Sequence, residues 1–219
     1  MDILKRSLRS FFDVLFPRDI RVSVFDSLPK VELERCAQQT FFHGACECLA
    51  PLPYKKSLVR YAVQAAKYHG HKRAAVLLGE ILAPFVAEEL AERRMFGNFM
   101  NPLLVPIPLH AIRFHERGFN QAERIASALC NTLNCEGMTL ELHLLERAKH
   151  TESQAHSISK AKRFENMEGA FTVLDPQRVV AQDILLIDDV MTTGATLSVA
   201  QKALYKAGAR TVLCIAVAH

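Results

Sequence analysis

The apolar positions between Ile184 and Ala218 fall into three blocks with different periods. ILLI (184–187) is a continuous apolar run, LSVAQKALYKA (197–207) repeats its apolar positions at helical spacing, and TVLCIAVA (211–218) is continuous again. Short continuous runs suit strands buried on both faces, and Gly208 stands where a helix C-terminal cap is expected. The pattern predicts a βαβ unit, and a helical crossover makes its two strands parallel.

The same reading extends upstream. LLVPIP (103–108) is a buried-strand candidate ended by prolines, and HAIRFHERG (110–118) reads as a polar turn. In FNQAERIASALCNTL, the spacing of Phe119, Ala122, Ile125, Ala126, Leu129 and Leu133 predicts an amphipathic helix. MTLELHLLER alternates Leu140, Leu142 and Leu144 with Glu141 and His143, the period of a half-buried strand. From Ser57 to Arg94 the pattern is helical, with Leu77, Leu78, Ile81, Leu82, Phe85 and Val86 on one face, and Pro84 is expected to kink or divide the helix. Residues 20–60 lack a clear period and read as a small irregular module. Leu4, Leu8, Phe11, Phe12, Leu15 and Phe16 predict a helix closed by Pro17 and docked on the core, the alternative for its basic face being a membrane-surface helix. The polar stretch from Ala148 to Ala170 is too long for an ordinary connector and reads as a mobile functional loop.

Length and composition bound this picture. A chain of 219 residues accommodates one sizeable α/β core with a small appendage. No apolar run approaches the roughly 18 residues of a membrane span, so membrane insertion is not expected. The six cysteines do not form the even framework of a secreted scaffold, which points to a reducing, cytoplasmic setting. A formal charge of +4 is compatible with anionic ligands but supplies no basic-aromatic stripe for nucleic acid.

The chemistry concentrates in ILLIDDVMTTGAT (184–196), where a buried strand runs into two carboxylates and then a hydroxyl-rich turn. Ligands of open parallel sheets bind beyond the carboxyl ends of strands, where Asp188 and Asp189 stand. The next turn, Thr192, Thr193, Gly194, Ala195 and Thr196, offers backbone N–H groups and a helix start, the requirements of a phosphate site, and Gly194 lets the backbone close in without a Cβ. Carboxylates repel phosphate unless they accept hydrogen bonds from vicinal sugar hydroxyls while the phosphate lies one turn away. A sugar 5-phosphate satisfies both halves. The rival triphosphatase reading requires a Gly-x4-Gly-Lys-Ser/Thr loop that this chain lacks, and a phospho-acceptor receiver domain requires far more chain after the acidic pair.

This stretch resembles the phosphoribosyl-pyrophosphate (PRPP) motif of type I phosphoribosyltransferases. With VPIPLHAIRFHERGFNQAERIA (105–126), LLERAKHTESQ (144–154) and RFENMEGAF (163–171), its order and spacing resemble the ComF family. The resemblance implies an α/β fold with a parallel sheet flanked by helices over residues 55–219, preceded over 1–54 by an N-terminal helix and a degenerate zinc-finger-like module. It implies that Asp188 and Asp189 bind the ribose hydroxyls and serve catalysis, and that Thr192 to Thr196 bind the 5-phosphate. Pro108, Leu109 and His110 would form the pyrophosphate loop with Arg113 and Arg117 beside it, and Lys149, Thr151 and Gln154 would belong to a loop closing over the substrate. Magnesium is implied with PRPP.

The expected activity is phosphoribosyl transfer to an unidentified acceptor such as a nucleobase, the alternative being a PRPP or nucleotide sensor without turnover. The family's name adds competence-machinery proteins or single-stranded DNA as partners, and a homo-oligomer stays open. The family's four-cysteine zinc module is not matched, because RDIRVSVF (18–25), directly after Phe16-Pro17, carries no cysteine. Cys36, His43, Cys46 and Cys48 are the alternative zinc set, but Cys-x-Cys is tighter than usual zinc spacing, so the expectation is a metal-free remnant.

Overall fold

The structure is a computed structural model describing residues 30–68, 71–97, 99–148 and 169–219. The helix expected over the first residues and most of the 148–170 loop lie outside the described residues. In chain order the elements are α1 (Lys30–Glu34), β1 (Phe41–His43), β2 (Glu47–Leu49), α2 (Ser57–Tyr68), α3 (Lys72–Phe96), β3 (Leu103–Pro106), α4 (Ala111–Arg117) and α5 (Gln121–Thr132). They continue with β4 (Thr139–Leu140), β5 (Leu145–Arg147), β6 (Phe171–Val173), β7 (Asp183–Val190), α6 (Ala195–Lys206) and β8 (Thr211–Ala218).

Six strands form one sheet in the order β1-β2-β8-β7-β3-β4, parallel except for the β1–β2 hairpin. The predicted βαβ unit is its centre, with β7 and β8 paired from Asp183↔Thr211 to Val190↔Ala218. β5 and β6 pair separately as a short antiparallel ribbon.

Why ILLI and TVLCIAVA are continuous is plain from the two faces of the sheet. Leu185, Ile187, Leu213, Ile215 and Val217 pack with residues of α2, α3 and α5 on one face, while Ile184, Leu186, Val212, Cys214 and Ala216 meet α6 on the other. Both faces are covered, so alternation along the strand selects between two apolar surroundings. On the first face α3 and α5 approach closely at Gly79, where a Cβ would lie 2.6 Å from Cβ of Ala128 and 2.8 Å from the Ile125 carbonyl oxygen.

Three local expectations change. The helical stretch from Ser57 divides between Tyr68 and Lys72, and α3 continues through Pro84. Pro84 is exposed, so the carbonyl deprived of its N–H partner can be met by water, which relieves the usual cost. HAIRFHERG is a helix and not a turn: Nδ1 of His110 accepts from the Ile112 N–H at its start, and Gly118 closes it in the left-handed conformation at φ 76°. The alternating strand expected from Leu140 breaks in two, because β4 pairs with β3 while β5 pairs with β6. Leu144 and Leu145 are both buried, which an uninterrupted half-buried strand cannot achieve. Cys130 and Cys135 are joined as a disulfide at the end of α5, with Cα atoms 4.6 Å apart, a pairing their spacing did not suggest.

Candidate functional site

β7 carries the acidic pair at its C-terminal end, and the strand's period of two sends the carboxylates to opposite faces. Asp188 has the parity of Ile184 and Leu186 and lies near Cys48 on the α6 side, whereas Asp189 turns toward α2. Oδ2 of Asp189 is 3.3 Å from Nζ of Lys67, and the residue is 4% exposed. Oδ1 accepts from the Val190 N–H at 2.9 Å, and Oδ1 of Asp188 accepts from the Asp189 N–H at 2.8 Å. Asp188 is half-buried; desolvation raises its pKa well above the usual carboxylate value, the neighbouring Asp189 charge adds to this, and Lys67 opposes it.

Beyond Val190 the chain turns into α6. The Met191 N–H donates to the Ala218 carbonyl at 2.8 Å, continuing the β7–β8 ladder, and Gly194 adopts φ 75° immediately before the helix. This left-handed residue swings the α6 N-terminus, with its unsatisfied N–H groups, toward the strand end. Thr192 is exposed, Thr193 and Thr196 are half-buried, and Ala195 is buried. Oγ1 of Thr193 accepts weakly from the Ala195 N–H at 3.4 Å. The β1–β2 turn braces this loop from outside: the Ala45 N–H donates to the Thr193 carbonyl at 3.3 Å, and a Cβ on Gly44 would lie 3.1 Å from the same oxygen.

The third component rises from the neighbouring strand. Pro106 is level with Ile187, and the Ile107 N–H donates to the Ile187 carbonyl at 2.8 Å, so Pro108, Leu109 and His110 leave the sheet beside the acidic pair. Asn120 fixes this exit by donating from Nδ2 to the Ile107 carbonyl at 3.0 Å while its Oδ1 caps α5 through the Ala122 N–H. Arg113 and Arg117 are half-buried on α4, and Arg117 donates to Oε1 of Gln121 at 3.2 Å. Arg147 of β5 joins this cationic side: burial and the Arg113 charge push its pKa down, the Asp188 charge pushes it up, and its guanidinium lies 5.4 Å from the Phe171 ring centroid.

The acidic pair, the Thr192 to Thr196 turn and the loop after β3 are therefore gathered at one end of the sheet. Lys149, Thr151 and Gln154 lie outside the described residues. Lys67 and Arg147 were not selected by sequence reasoning. Arg147 falls in a block that carries the ComF resemblance, but Lys67 reads as an ordinary charge in the last turn of a helix.

The candidate zinc set is not brought together. Cys36 packs against the α2–α3 side of the sheet, Cys46 and Cys48 belong to the α6 side, and His43 is exposed. Cys46 instead lies with its Sγ 3.7 Å from the Gly194 carbonyl, beneath the hydroxyl-rich turn. Among the described residues no group of three or more His, Cys, Asp or Glu is placed to hold a metal ion. A cavity of about 430 Å³ opens past the end of β8, lined in part by Arg35, Gln38, Thr40, Phe42, Lys56 and His219. The Phe42 and His219 rings stack at its wall with centroids 3.2 Å apart.

Comparison with known proteins agrees with the ComF resemblance. Competence protein F of Haemophilus influenzae is 32% identical over 106 residues, covering 48% of this chain and 44% of that protein. DNA utilization protein YhgH of Salmonella typhimurium is 30% identical over 150 residues, covering 68% of this chain and 62% of that protein. The chain is similar to these competence and DNA-utilization proteins. It spans less than two thirds of the length of either. No protein-family model matches it. Among solved structures, a hypoxanthine phosphoribosyltransferase from Staphylococcus aureus overlaps 66% of this chain and 62% of its own, with TM-score 0.40 and 12% identity. Among the described residues, no helix is long and apolar enough to cross a membrane.

Proposed function

We propose that the protein binds PRPP at the C-terminal end of β7 and transfers its phosphoribosyl group to an acceptor, with magnesium accompanying the diphosphate. The observation that carries this reading is the convergence of the Asp188-Asp189 pair, the Gly194 turn at the α6 N-terminus, and the loop after β3 with Arg113 and Arg147 behind it. Each part matches one part of the ligand: carboxylates for ribose hydroxyls, helix N–H groups for the 5-phosphate, and guanidinium groups for the diphosphate.

In this reading the chain's own groups bind and orient. The bond from ribose C1 to diphosphate breaks as positive charge builds on the sugar, so Arg113, Arg117 and the Pro108 to His110 backbone hold the departing diphosphate while Asp188 steadies the cationic ring. Magnesium, when bound, neutralises part of the diphosphate charge. It favours oxygen donors and retained water, and the carboxylates at the end of β7 are the oxygen donors of this chain that would help to hold it beside the diphosphate. The acceptor is assigned to the cavity past β8, since His219 follows Ala218, which pairs with Val190 beside the acidic pair. The relatives' names support a role in competence and DNA use, for which we infer competence proteins or single-stranded DNA as partners.

Incubation with PRPP, magnesium and a panel of nucleobases, followed by pyrophosphate detection, tests the reading. Pyrophosphate release that falls at least ~100-fold in Asp188→Asn is expected, as for loss of a group acting on transition-state charge. Tight PRPP binding with no release under any acceptor assigns the site to a sensor.

A further inference from the structure

Lys67 lies in none of the four blocks that carry the phosphoribosyltransferase resemblance, yet it reaches the acidic pair from α2. Its Nζ is 3.3 Å from Oδ2 of Asp189, an oxygen that is buried and accepts no hydrogen bond among the described residues. The other oxygen of Asp189 is taken by the Val190 N–H. With side-chain exposures of 25% for Lys67 and 5% for Asp189, this pair is largely withdrawn from water, unlike the exposed ion pairs that contribute little. Asp188 on β7 is the charged group that acts on both members of the pair; Arg147 on β5 and Cys48 on β2 face Asp188 instead, and Arg113 on α4 faces Arg147.

The ion pair holds Oδ2 of Asp189 from the side opposite α6. We propose that Lys67 is a positioning residue for sugar binding, fixing Asp189 under the strand end so that the acidic pair meets the ribose hydroxyls. The inference rests on the sugar-phosphate reading of the site. Lys67 acts through Asp189, and the 5-phosphate turn, built from β7 and α6, does not depend on it.

That separation defines the experiment. Ribose 5-phosphate and inorganic phosphate are titrated in the absence of magnesium and followed by amide NMR shifts. The proteins are wild type, Lys67→Met, Lys67→Arg, Asp189→Asn and the Lys67→Met/Asp189→Asn double variant. Lys67→Met is expected to weaken ribose 5-phosphate by about tenfold or more, as loss of a desolvated ion-pair partner does. Phosphate affinity should stay within about twofold, Lys67→Arg should recover most of the loss, and the double variant should bind no worse than Asp189→Asn alone. Equal loss of both ligands in a folded Lys67→Met protein would mark a general structural or electrostatic effect and overturn the proposal. So would wild-type affinity in Lys67→Met, or full additivity in the double variant. A wild-type protein that binds neither ligand overturns the sugar-phosphate reading itself, whereas one that binds both, with Lys67→Met unchanged, overturns only the role of Lys67.

Discussion

Asp188 concentrates the conflict between stability and chemistry in this site. Its pKa is raised first by desolvation and then by the adjacent Asp189 charge, with Lys67 offsetting part of the effect. For an acid whose folded pKa lies above its unfolded value, the cost is absent below the unfolded value, grows as pH rises, and is complete above the folded pKa. Burial of Asp188 therefore costs stability wherever the pH lies above its unfolded value, and acidification toward that value relieves the cost. Asp188→Asn keeps an oxygen to accept from the Asp189 N–H while removing the charge. We expect it to raise the urea midpoint at neutral pH while eliminating pyrophosphate release, with the stability gain shrinking as the pH is lowered. Asp189→Asn should give no such gain, because it leaves Lys67 facing a neutral group; paired urea melts across pH distinguish the two variants.

At the scale of elements, the contact of α3 with α5 makes the sharpest demand on a single position. Gly79→Ala would place a Cβ 2.6 Å from Cβ of Ala128 and 2.8 Å from the backbone nitrogen of Leu129, too close for either helix to keep its place. Overpacking of this kind costs about 1–3 kcal/mol, and Gly79→Ala should lower stability to urea by that amount despite alanine's higher helix propensity. The sequence marks such elements when burial is periodic. β7, β8, α5 and α6 were legible because their apolar positions face fixed surroundings. α4 was not, since none of its seven residues is buried and its signals lie only in the His110 and Gly118 caps. The Leu140–Leu144 alternation misled because pattern alone does not show that β4 and β5 enter different sheets.

Over the whole molecule, the site is an assembly of distant segments, which explains how much of it the sequence could disclose. The acidic pair and the Thr192 to Thr196 turn are contiguous, so their chemistry reads directly from ILLIDDVMTTGAT. Lys67, Arg147 and the Gly44–Ala45 turn reach it only through packing of α2, through the β5–β6 ribbon, and through the β1–β2 hairpin at the sheet edge. The described N-terminal strands are thus part of the sheet that carries the site, and their turn touches the proposed 5-phosphate loop. What unites these segments is the claim that together they hold PRPP. The most direct measurement is a calorimetric titration of magnesium and PRPP into the wild-type protein and into Asp188→Asn/Asp189→Asn, with folding checked by circular dichroism. The account predicts saturable one-to-one binding to the wild type and at least a ~100-fold loss in the double variant, since both sugar-facing charges are removed. Wild-type protein that is folded and takes up no PRPP, or a double variant that binds it as tightly, would contradict it.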